Sequence, residues 1–198
     1  MNEVSAANKS HPQNPVFNPG WGPLSSLPGN PMMWVLIISE LVAFSGFFIL
    51  FAWERTRQPE LFNLSQSQLD PVTGGINTLI LLTSGLCAAL ALQTLAQSRR
   101  RARQWLALTI VLGIVFCSVK FMEYTAKFEA GIYPETNTFF GFYYGLTAFH
   151  FAHVLFGLVL LILVFWQLSE ENLETVTAFW HLVDLIWVLL YPLVYLLR

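Results

Sequence analysis

Charge is what this sequence has least of. Lys and Arg number 10 and Asp and Glu 12 among 198 residues, so only 11% of the chain is charged. A soluble domain carries about 25%, and this chain has too little charge to cover a soluble globule. The near balance of the charges, −2 net, excludes a nucleic-acid binder held by phosphate contacts, which needs many uncompensated cations. Cysteine is equally scarce. Cys87 and Cys117 both sit in apolar runs, which excludes a disulfide scaffold and a Cys-based zinc or iron–sulfur centre.

Apolar residues make up 55% of the chain, and the mean hydropathy is +0.56. They fall in five runs, about 32–53, 76–96, 105–126, 139–167 and 176–197. About 20 apolar residues cross the hydrocarbon core as a helix. Lipid offers backbone groups no partner, so helices are the default. The runs predict an all-α integral membrane bundle of five transmembrane helices, one domain over 32–198. Residues 1–31 carry six prolines among Asn, Ser and Gly and read as a mobile cytoplasmic tail rather than a signal peptide.

Between the runs lie a polar loop from Glu54 to Gly75, a tight turn at Arg99–Arg103, and linkers at Glu129–Thr138 and Glu170–Glu174. Short loops rich in Lys and Arg stay in the cytoplasm. The four arginines of the turn therefore place the N-terminus inside and the C-terminus outside. The tryptophans fall mostly at run ends, as interface anchors do.

Seven ionisable residues lie within the runs: Glu40, Lys120, Glu123, His150, His153, His181 and Asp184. Each costs a few kcal/mol at membrane depth unless it is paired or faces water. Three pairs share the i, i+3 spacing that puts them on one helix face: Lys120 with Glu123, His150 with His153, and His181 with Asp184. Counted at about 1.5 Å per residue, Glu40 and Asp184 sit a third to halfway in from the cytoplasmic side. His150 and His153 reach the middle, and Lys120 and Glu123 lie nearer the outer face. These depths predict a polar seam of carboxylates and imidazoles with an outer Lys–Glu ion pair. Such a seam serves either as a proton path or as glue between helices. Three intramembrane histidines are too few for a haem-copper catalytic core, though one haem between His150 or His153 and His181 survives the count. Neither a Glu-x-x-His motif nor a nucleophile–base pair is present. A small proton-coupled transporter or channel acting alone is the alternative, although it predicts repeats or broken helices that the sequence lacks.

Three stretches carry a family resemblance. They are Pro28-Gly29-Asn30-Pro31-Met32-Met33-Trp34 through Ser39-Glu40-Leu41 and Phe44–Phe48, then Thr147-Ala148-Phe149-His150-Phe151-Ala152-His153-Val154-Leu155-Phe156-Gly157, and finally Glu174 with Phe179-Trp180-His181-Leu182-Val183-Asp184-Leu185-Ile186-Trp187 and Tyr191. Lys120 with Glu123-Tyr124 adds a fourth. The chain resembles subunit III of haem-copper (cytochrome c) oxidases, most closely the short five-helix members associated with nitric oxide reductase, often called NorE-like. Ala148, Ala152 and Phe179 depart from the family pattern, and five helices stand where the longer form has seven.

The resemblance implies a non-redox subunit of the bacterial cytoplasmic (inner) membrane. It would pack beside the catalytic subunit of an oxidase or a nitric oxide reductase, and that partner would hold the haem and copper. No cofactor, metal or nucleic acid is expected on this chain. It would stabilise its partner, hold membrane lipids between helices and aid proton uptake. Glu40 matches the family's buried, carbodiimide-reactive glutamate, and Glu174 matches a carboxylate of the last motif.

Overall fold

The computed structural model describes residues 31–197. The expected N-terminal tail, Pro31 apart, lies outside the described residues. Six α-helices follow one another: α1 (Pro31–Arg57), α2 (Pro59–Gln66), α3 (Pro71–Leu95), α4 (Arg99–Glu129), α5 (Thr138–Trp166) and α6 (Glu170–Tyr191). A π-helical turn, Pro192–Leu196, continues α6. All except α2 are long and apolar enough to cross a membrane, as the five runs predict.

The helices begin where the sequence supplies caps. The side chains of Asp70, Ser98, Asn137 and Ser169 accept from backbone amides in the first turns of α3, α4, α5 and α6, satisfying donors that a helix start leaves free. Pro71 follows Asp70 at the first helical position of α3, where its missing N–H costs nothing. At the other end of α4, Gly131 has φ +75. The Gly131 amide donates to Phe128 and the Ile132 amide to Lys127, a closure that needs a left-handed residue.

Four boundaries differ from those read off hydropathy, because polar turns belong to helices once they are capped. The Glu54–Gly75 stretch is not a simple loop. It holds the end of α1, all of α2 and the start of α3, and Phe62 of α2 is buried against Phe51 and Phe139 at centroid distances of 5.3 and 5.4 Å. Arg99–Arg103 is the first turn and a half of α4, and the tight turn is confined to residues 96–98. Glu170–Glu174 opens α6, where carboxylates favour the positive helix end. The apolar run to 197 ends as a π-turn from Pro192, which has no amide to continue the ladder.

α6 is the centre of the packing. It lies against α3 and α5 and touches α1, while α3 runs along α4 and α4 along α5. Trp180 of α6 shows why. Its ring fills the notches at Gly113 of α4 and Gly157 of α5, where an added Cβ would fall 3.0 and 2.8 Å from ring carbons. Its Nε1 donates to Ser84 of α3 at 3.2 Å. Trp180 and Trp187 are core residues rather than the interface anchors their type suggests, whereas Trp53 and Trp166 are exposed at helix ends.

Candidate functional site

The predicted seam resolves into separate groups. One group is built on α4. Lys120 is fully buried, and its Nζ donates to Glu123 Oε2 at 3.1 Å, Tyr195 Oη at 2.7 Å and Tyr143 Oη at 3.3 Å. Both phenols donate onward to Glu123 Oε1, at 2.7 and 2.6 Å. The ammonium also lies 4.9–5.4 Å from the ring centroids of Tyr124, Tyr143, Trp187 and Tyr195, a cage that favours a cation. Every donor on Nζ is used, so the group is a closed tie joining α4, α5 and the π-turn. Lys127 is not part of it and donates instead to the backbone oxygen of Gln68.

His150 and His153 do not act together. Their spacing of three leaves an angular offset large enough to point them at different helices. His150 is fully buried, between Phe116 and Trp187. Its Nε2 donates to the Val183 carbonyl of α6 at 3.1 Å. His153 turns toward α1, with Nε2 3.0 Å from Glu40 Oε2. They stand in ion-pair range without the alignment of a hydrogen bond, and that oxygen has no hydrogen-bond partner among the described residues. Nδ1 of His153 donates to the Phe149 carbonyl at 2.7 Å. The pair borders a cavity of about 210 Å³ lined by Leu36, Ala152, Phe156 and Phe179.

His181 and Asp184 form a third group, on the seam between α6 and α3. His181 Nδ1 is 3.6 Å from Asp184 Oδ2. The carboxylate presses on Gly85 of α3, so closely that a side chain there would collide with Oδ2. Glu174 lies apart, part-buried in the early turns of α6. Among the described residues no three His, Cys, Asp or Glu side chains converge as a metal site. The sequence reading missed Tyr143 and Tyr195, and with them Ser84 and Thr78, which accept from the indole N–H groups of Trp180 and Trp187. Nothing in their spacing marks them, since each bonds a residue on a distant helix.

The matches to known proteins cover this whole arrangement. The family model for cytochrome c oxidase subunit III fits residues 30–198, every membrane-spanning helix included. The chain belongs to the cytochrome c oxidase subunit III family. Among relatives of this family, the cytochrome c oxidase subunit 3 of Synechocystis is 30% identical over 173 residues, covering 82% of this chain and 73% of its own. The cytochrome bo(3) ubiquinol oxidase subunit 3 of Buchnera aphidicola is 25% identical over 179 residues, covering 83% and 84%. A probable quinol oxidase subunit 3 of Staphylococcus epidermidis is 27% identical over 131 residues, covering 62% and 65%. This subunit III chain is a membrane component of the haem-copper oxidase kind, and nothing in these relatives supports a solitary transporter.

Proposed function

We propose that the chain is the non-redox accessory subunit of a bacterial terminal oxidase, packed beside a catalytic subunit that holds the haem and copper. The observation that carries this reading is the family match across all five spans. The polar groups support it. The Lys120 network is closed on itself, and the imidazoles are spent on a backbone carbonyl or on single carboxylates. Such groups fix helices in place.

In this reading α4 starts in the cytoplasm, because Arg99, Arg100, Arg101 and Arg103 crowd its first turns, and the complex sits in the inner membrane. Glu40 and His153, beside an open cavity, are the pair able to hand a proton to the partner. Membrane lipids fill the cleft of about 640 Å³ between α1 and α5, where Phe47, Gly141, Phe142 and Gly145 provide an apolar wall and Glu135, Asn137 and Thr138 a polar rim.

The test is purification of the tagged chain from native membranes in mild detergent. A haem-bearing subunit should copurify, with an optical spectrum and an oxygen consumption that identify an oxidase. Nitric oxide reduction instead would assign the partner to that reductase. A colourless, solitary chain would end the reading.

A further inference from the structure

Four arginines open α4, and three of them converge. Arg99, Arg103 and Ala107 follow one another at i, i+4 and i+8, with Arg100 and Gln104 in the adjoining row. Together with Phe165, near the end of α5, they line a cleft of about 570 Å³, and Arg101 is not part of its wall. The cleft lies at the membrane boundary, since Arg99 is the first residue of one span and Phe165 the last but one of another. It is at the opposite end of α5 from the cleft beside Gly141 and Gly145.

The charge in this cleft is uncompensated. Among the described residues no carboxylate stands within ion-pair range of Arg99, Arg100 or Arg103. The first turn of α4 holds no acidic residue, whereas that of α6 holds Glu170 and Glu171. Cations at a helix start oppose its dipole, a disadvantage that a bound anion offsets. Retaining the turn in the cytoplasm requires these charges but not their convergence on one cleft.

We propose that this α4–α5 cleft binds the phosphate group of an anionic phospholipid of the cytoplasmic leaflet. Guanidinium forks match phosphate oxygens in pairs, and Gln104 adds an amide donor. Ala107 and Phe165 give the upper part of an acyl chain an apolar floor, which a free phosphate would leave bare. Basic pockets between membrane helices on this side take such headgroups. The site goes beyond the accessory-subunit reading and stands whatever the partner reduces.

The delipidated full chain in mild detergent is titrated with phosphatidylglycerol or phosphatidylcholine, and bound lipid per chain is counted by mass spectrometry. Phosphatidylglycerol should bind at least about tenfold more tightly than phosphatidylcholine, and Arg103→Gln should weaken it about fivefold, as for one cation lost near a headgroup. Arg101→Gln removes the same charge from the same turn outside the cleft and should leave binding unchanged. Each variant keeps three arginines, so the topology signal survives. Equal affinity for the two lipids overturns the proposal. So does an equal loss in Arg101→Gln and Arg103→Gln, which would reduce the effect to diffuse charge. Displacement of phosphatidylglycerol by inorganic phosphate, but not by chloride at matched ionic strength, would assign the cleft to the free anion and overturn the lipid as its source.

Discussion

Glu40 of α1 and His153 of α5 stand in ion-pair range, Oε2 of one 3.0 Å from Nε2 of the other, while Nδ1 of the ring donates to the Phe149 carbonyl. A double-mutant cycle with Glu40→Gln and His153→Gln should therefore return a coupling of at least about 1 kcal/mol in unfolding from mixed micelles. Additive single effects would show that the two residues stand side by side without coupling.

The Lys120 tie makes a larger demand. Lys120→Met leaves Glu123 as a shielded carboxylate with phenol donors and no cation, and breaking a buried pair in this way costs about 3–5 kcal/mol. Tyr195→Phe removes one hydrogen bond to each charged group and should cost about 1–2 kcal/mol. It should also raise hydrogen exchange at 193–197, because Tyr195 holds the π-turn to α4. Unchanged exchange there would assign the anchoring to other contacts, such as the Gln66 amide on the Val194 carbonyl.

Two glycines of α5 give a sharper contrast. Gly157→Ala drives a methyl into Trp180 and should destabilise by about 1–3 kcal/mol. Gly145 has nothing within 4 Å of an added Cβ, so Gly145→Ala should be neutral or stabilise by up to about 1 kcal/mol. Thermal unfolding followed by tryptophan fluorescence ranks the two, and equal effects would disprove the Trp180 notch.

Asp70 predicts a pH dependence outside the membrane spans. The Thr73 hydroxyl and the Val72 amide hold its carboxyl below the ordinary 3.8, with Lys127 adding attraction. A carboxyl depressed in the folded state contributes stability that is present above its unfolded value and lost as pH falls through the folded one. Wild type should thus lose more stability than Asp70→Asn on acidification below about pH 4. Asp70→Ala should cost about 1 kcal/mol at neutral pH through the lost cap. Parallel acid profiles for wild type and Asp70→Asn would remove Asp70 from the account.

Much of this was legible in the chain itself. Five helices follow from length and hydropathy, because a bilayer admits little else. The family followed from local motifs around Glu40, His150–Gly157 and Glu174–Trp187, and residues close in sequence keep their spacing whatever surrounds them. The Lys120–Glu123 contact was legible for the same reason, being one turn apart on one helix. Helix ends were less so. Hydropathy registers where oil stops, whereas the caps at Asp70 and Ser98 decide where the backbone stops turning.

What the tertiary structure alone decided is which way each polar group faces. Spacing put His150 and His153 on one side of α5, yet one ring meets the Val183 carbonyl and the other meets Glu40, because different helices lie over the two positions. The phenols of Tyr143 and Tyr195 reach Lys120 across 23 and 75 residues of sequence, and the seat of the Asp184 carboxylate depends on the space left at Gly85. A sequence sets how many charges enter the membrane and at what depth. Only the packing of α6 between its neighbours determines which group within the chain each of them meets.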